Sequence, residues 1–185
     1  MREPEGFSAF VAARSPALLR TAWLLTGSRA AAEDLVQEAL ARTWRVWPSV
    51  QRQDAPEAYV RTVMLHTFTG WSRRRWRGEI ATEVLPEPGG ADPMAQVDLA
   101  RGVRLALADL PPRQRAVLVL RFYDDLTEAQ TATAMGCTVG TVKSQTAKAM
   151  TALRASSHLR DGELGDGELG DGDLERPDAP RRGAP

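Results

Sequence analysis

The sequence predicts an all-α fold: two small helical domains joined by a flexible linker, the C-terminal one a helix-turn-helix. Three observations carry this. Apolar residues recur at helical spacing through most of the chain, and no segment alternates as a strand would. Helix starts are marked by capping residues, most clearly Thr127 with Gln130 three positions on. Residues 78–94 hold three prolines, several acids and little periodicity, which reads as a linker. The expected division is 1–77, 78–94, 95–160 and an acidic, low-complexity tail over 161–185 that repeats Asp-Gly-Glu-Leu-Gly and is expected to be disordered.

A first helix is expected over 7–26, with Phe7, Phe10, Val11, Leu18, Leu19, Trp23 and Leu24 toward a core; Gly27 stops it and Ser28 caps the next. That second helix should run to about Trp47 and end at Pro48. It turns Leu35, Val36, Ala39, Leu40, Trp44 and Trp47 inward. Its outer stripe is Glu33, Asp34, Gln37, Glu38 and Arg42, which taken alone is a solvated charged face. Beside a nucleic-acid-binding helix it would repel DNA, and so it should face a protein.

Asp54 with Glu57 opens a third helix to about Arg77, with Pro56 tolerated in its first turn. Tyr59, Val63, Met64, Thr67, Phe68 and Trp71 form its apolar stripe. Arg61, His66, Arg73, Arg74, Arg75, Trp76 and Arg77 occupy its other side and end. Arginines interrupted by tryptophan suit a strand with exposed bases, guanidinium for phosphate and indole for stacking. A solvated helix end complementing the helix dipole is the simpler alternative.

Helical signal returns over 95–108. Pro111-Pro112 starts the helix 113–123, which leads into the helix-turn-helix of residues 126–154. There Ala129, Ala132 and Met135 make the apolar side of the first helix, Gly136 ends it, and Thr138 caps the second. On that second helix Val139, Val142, Ala149, Met150 and Leu153 share the inner face. Thr141, Ser144, Gln145, Lys148 and Thr151 lie opposite, with Lys143 at the flank. Such small and polar side chains reach base edges and phosphates. Residues 136–160 carry four basic residues and no acid.

The chain has 24 basic and 24 acidic residues, but residues 161–185 hold eight acids against three arginines. The remainder is therefore net +5, a basic body that suits a polyanion. Lysine stands only at 143 and 148, so those two are more pointed than any one arginine. Cys137 is the only cysteine, which excludes disulfides and cysteine-based zinc sites; its expected role is a small buried hydrophobe in the turn. His66 and His158 are the only histidines and there is no glycine-rich phosphate loop, so no catalytic residues, no metal and no cofactor are expected. With no membrane-length apolar run and no signal peptide, the expected location is cytoplasmic.

Several stretches, at matching spacing, resemble the extracytoplasmic-function group of bacterial RNA polymerase sigma factors. They are Ala32-Glu33-Asp34-Leu35-Val36-Gln37-Glu38-Ala39, Ala58-Tyr59-Val60-Arg61 leading to Arg73–Arg77, Leu110-Pro111-Pro112-Arg113-Gln114-Arg115, and Gly140-Thr141-Val142-Lys143-Ser144. The short form and the Ser-Gln after Lys143 resemble an actinobacterial branch. The resemblance implies core RNA polymerase, through its clamp and flap regions, and promoter DNA as partners. An anti-sigma factor is common in the group, though no residue here demonstrates one. It implies that Asp34, Gln37, Glu38 and Arg42 dock on polymerase. Arg52, Gln53, Arg61, His66, Arg73, Arg74, Trp76 and Arg77 would hold a melted downstream promoter element. Thr138, Gly140, Thr141, Lys143, Ser144, Gln145 and Lys148 would read an upstream element as duplex. The chain departs from the group at His66, often Asn there, at Gly70, often an acid, and at Gln145, often Arg. The competing readings are a stand-alone helix-turn-helix regulator, an enzyme acting on nucleic acid and a polymerase-binding inhibitor. The first leaves the acidic and Arg-Trp helices unexplained.

Overall fold

Gly27 turns the chain between its first two helices in the left-handed region, φ 77°, where a Cβ would be strained. In the computed structural model, which describes residues 4–52, 55–76 and 98–160, this turn joins α1 (Phe7–Thr26) to α2 (Arg29–Trp44). The Gly27 N–H closes α1 on the Trp23 carbonyl at 2.8 Å, and the Ser28 hydroxyl accepts the Ala31 N–H to open α2. Leu18, Ala22 and Leu25 of α1 meet Ala32, Leu35, Val36 and Ala39 of α2 in one core.

The second helix stops at Trp44, three residues short of expectation. Pro48 then sits in the first turn of a separate short helix, α3 (Trp47–Val50), where its missing N–H costs nothing. The break lets Trp47 turn back beneath α1. There Phe7 meets both Trp44 and Trp47 edge-on, and the indole N–H of Trp47 donates to the Glu5 carbonyl at 2.9 Å. The anticipated Asp54 cap lies outside the described residues.

In α4 (Pro56–Trp76), Met64, Thr67 and Phe68 are buried as the periodicity requires. So are Val60 and Leu65, which the single apolar stripe did not include. Their burial follows from a second neighbour, because α4 lies between α1 and α2 on one side and the C-terminal helices on the other.

The C-terminal half comprises α5 (Asp98–Ala108), α6 (Pro112–Leu118), α7 (Glu128–Met135), α8 (Val139–Ala155) and α9 (Ser157–Arg160). The expected single helix 113–123 is α6 followed by a π turn over Val119–Tyr123. The Asp124 N–H reaches back five residues to the Val119 carbonyl, and Asp125 then adopts φ 52°. Thr127 and Gln130 form the capping box, with N–H to side-chain distances of 2.8 and 3.2 Å. On α7 the buried residues are Thr131, Ala132 and Ala134; Ala129, expected inward, is exposed. Val142 and Ala149 of α8 are fully buried as expected, but Val139 at the first turn is 38% exposed.

The two halves share a core. Val60, Met64, Leu65 and Phe68 of α4 pack in one cluster with Ala116, Val119, Leu120 and Ala134. Where the sequence suggests two domains free on a tether, the described residues form two bundles pressed together along α4.

Candidate nucleic-acid interface

The contact between the halves sorts the candidate residues into engaged and free. Arg61, expected at a nucleic acid, pairs through Nε with Oδ2 of Asp124 at 2.9 Å and through Nη2 with Glu57 at 3.0 Å. Its side chain is only 15% exposed, so in this arrangement it is withheld from any strand. The π turn accounts for the difference, because it swings Asp124 onto α4 and α1. There Thr21 donates to Asp124 Oδ1 at 2.8 Å. Burial pushes the Asp124 carboxyl above its usual range, and the Arg61 guanidinium and the Thr21 hydroxyl only partly oppose this.

Arg115, by contrast, is a residue whose role sequence reasoning did not specify. Its guanidinium is buried and donates to the Leu25 carbonyl at 2.6 Å, and to the carbonyls of Ala108 and Leu110. It thereby satisfies the C-terminal carbonyls of α1 and α5 together, and lies 5.9 Å from the Phe68 ring. Only its place in the Leu-Pro-Pro-Arg-Gln-Arg run could have marked it. Arg104 adds a bond to the Gly27 carbonyl at 3.2 Å while lying over the Trp23 ring.

On α4, His66, Arg73 and Arg74 are exposed. Trp76 ends the helix, with its side chain outside the described residues; Arg77 and Gln53 also lie outside them. Arg52 is exposed in the turn after α3. On α2, Asp34 and Gln37 are exposed, whereas Glu38 is engaged twice: it pairs with Arg42 one turn on and accepts the Trp71 indole N–H at 3.1 Å.

The N-terminus of α8 is built by Thr138, whose hydroxyl accepts the Thr141 N–H at 3.1 Å and lies 2.9 Å from the Thr141 hydroxyl. Gly140, Lys143, Ser144 and Lys148 are exposed, and Lys143 reaches Glu128 of α7 at 3.6 Å. Gln145 is half-buried for a specific reason. It lines an open cleft of about 1020 Å³ together with His66, Thr69, Gly70 and Arg73 of α4 and residues 109–113. The structure thus brings residues from both candidate sets, His66 and Arg73 with Gln145, to one cleft. Arg52 and the stripe of α2 do not line it.

Among the described residues no group of three or more His, Cys, Asp or Glu could hold a metal, and no helix is long and apolar enough to cross a membrane.

The sigma-70 region 2 model matches residues 10–78, and the sigma-70, region 4 model matches residues 100–153. The chain is 40% identical over 148 residues to the RNA polymerase sigma-E factor of Streptomyces coelicolor, covering 78% of this chain and 81% of that protein. It is 37% identical over 135 residues to the ECF RNA polymerase sigma factor SigL of Mycobacterium tuberculosis, covering 69% and 75%. Among solved structures it resembles the sigma factor RpoE, in complex with the anti-sigma factor NepR, from Bartonella quintana. There the TM-score is 0.65 at 26% identity, over 82% of this chain and 96% of that one.

Proposed function

Because the chain belongs to the extracytoplasmic-function group of RNA polymerase sigma factors, we propose that it binds core polymerase in the cytoplasm and selects promoters at two points. In this reading α8 reads an upstream element as duplex through Thr141, Ser144 and Gln145, with Lys143 and Lys148 on phosphates. The face of α4 around His66, Arg73 and Arg74 holds the downstream element as single strand. Asp34 and Gln37, exposed on α2, face the polymerase clamp with Glu38 and Arg42, and an anti-sigma factor would compete for the same surfaces.

What supports the reading is the acid-free outer face of α8, where Lys143, Ser144 and Lys148 are exposed, together with the exposed His66, Arg73 and Arg74 of α4. Energetics explain the need for polymerase. Each opened base-pair step costs about 1.4 kcal/mol of stacking. A base stacked on an aromatic returns roughly 1–3 kcal/mol, and a good base-edge contact about 1–3 kcal/mol. One half alone roughly breaks even; two halves fixed on one duplex do not need new contacts to bind far better.

The test is in-vitro transcription with core polymerase from a related bacterium on a genomic fragment library, with and without this protein. Discrete new start sites sharing two spaced upstream motifs are expected. Tight duplex binding by the free protein with no new starts would replace this reading with a stand-alone regulator.

A further inference from the structure

The cleft between α4 and α8 carries more positive than negative charge. Arg73 and Arg113 are exposed on opposite walls, and neither makes an ion pair with a described residue. The one carboxylate among its lining residues, Asp109, is paired with His158 of α9 at 3.2 Å. Leu110, Pro111 and Pro112 line it on the Arg113 side; Thr69, Gly70 and Ser72 line it on the α4 side, and a Cβ added at Gly70 would meet nothing within 4 Å. The trough thus has one apolar and one polar wall, with a guanidinium on each.

The helix α9 is fixed beside this trough. A Cβ on Gly102 of α5 would come within 2.6 Å of the His158 carbonyl, so only glycine permits α9 to lie so close, and the Asp109–His158 pair ties its middle to the wall. The chain leaving α9 at Arg160 thus starts beside the cleft. Residues 161–175 contain seven acids, no Lys or Arg, and leucines at 164, 169 and 174. Fifteen residues reach about 50 Å when extended, far more than is needed to lie along the trough.

We infer that the acidic segment 161–175 docks in this cleft, its carboxylates on Arg73 and Arg113 and its leucines against Leu110, Pro111 and Pro112. Charge and leucine spacing select it over the other undescribed stretch near Arg73, since residues 78–97 hold four acids in twenty. The docked segment covers Gln145 and Arg73 and so competes with nucleic acid for both helices. That consequence rests on the promoter reading above; the docking itself does not.

A nitroxide at L169C, in full-length protein carrying C137S, reports docking directly. Amide signals of Gly70, Arg73 and Arg113 should lose most of their intensity, and should recover it in 0.5 M salt or with R113E. The same label at E87C broadens Gly70 and Arg73 by tethering alone, and that effect should be insensitive to salt and to R113E. Unaffected signals with L169C, or L169C broadening that persists in high salt and with R113E, would overturn the assignment. Separately, removing residues 161–185 should raise affinity for a non-specific duplex about tenfold at low salt, with the gain vanishing at high salt. Sharp signals accompanied by that gain would indicate diffuse repulsion and also defeat the proposal. Failure of the promoter reading would leave the spectral result unchanged.

Discussion

Arg61 of α4 and Asp124 after the π turn meet at 2.9 Å across the seam between the two halves. Both side chains are largely buried, at 15% and 5% exposure, and each has a second partner on α4 or α1. The pair therefore belongs to the docked arrangement alone. Any state in which the halves separate returns both groups to water and exposes the Arg61 guanidinium.

Protonation of Asp124 is linked to docking. Its carboxyl is raised above 3.8, chiefly by burial, so the packed state holds the proton more tightly than the unfolded one. The stability this contributes is full below 3.8 and is lost as pH rises through the raised value. In D124N the contribution is absent while the Thr21 bond can persist. Urea unfolding of both proteins from about pH 4 to neutrality should show the wild type losing stability relative to D124N as pH rises. A difference independent of pH would mean that the Arg61 guanidinium and the Thr21 hydroxyl offset the burial in full.

Arg115 should be the costlier loss. R115M keeps much of the stem but leaves the carbonyls of Leu25, Ala108 and Leu110 without their buried donor. Buried acceptors left unpaired cost about 1–3 kcal/mol each when water cannot enter, and partial relaxation makes about 3 kcal/mol the expected total. R115K should recover only part, since one ammonium cannot span both helix ends as the planar fork does. Thermal unfolding measures both, and a loss under about 1 kcal/mol would show that water replaces the guanidinium.

Two glycines should respond to alanine with opposite signs. Gly70 lies inside α4 facing open space, so G70A adds helix propensity without a clash and should stabilise by about 0.5–1 kcal/mol. Gly136 has the same open surroundings but φ 60° at the end of α7. G136A should therefore destabilise by about 1 kcal/mol through backbone strain alone. Melting temperatures of the two variants, moving apart from wild type, check the contrast.

What was legible in the sequence was local. The capping box at Thr127 and Gln130, the caps at Ser28 and Thr138 and the glycine stops depend on a few neighbouring residues, and they stand where the pattern put them. That Asp34 and Gln37 of α2, and Lys143, Ser144 and Lys148 of α8, lie on outer faces was readable for the same reason. What escaped depends on partners distant in sequence. Val60 and Leu65 looked peripheral until the second half covered them, and Arg61 looked free because Asp124 is 63 residues away. Nothing local announces the π turn over Val119–Tyr123 or the left-handed Asp125 that follows it. Arg115 stood in a recognised run, but its carbonyl partner on α1 is 90 residues distant.

If α8 reads the upstream element as proposed, Lys148 and Gln145 should fail in different ways. Lys148 is exposed on an acid-free face, a position suited to a phosphate. K148A should weaken holoenzyme binding on every promoter alike and reduce the salt slope by about one. Gln145 is amide-bearing and half-buried at the cleft edge, a group that reads adenine by two bonds. Q145A should cost about 1–3 kcal/mol on the preferred upstream element and much less on a variant element, with the salt slope unchanged. Holoenzyme affinities for a matched and a substituted upstream element, each at several salt concentrations, separate the two behaviours. Equal losses on both elements for Q145A would remove it from base readout and make it a second backbone contact.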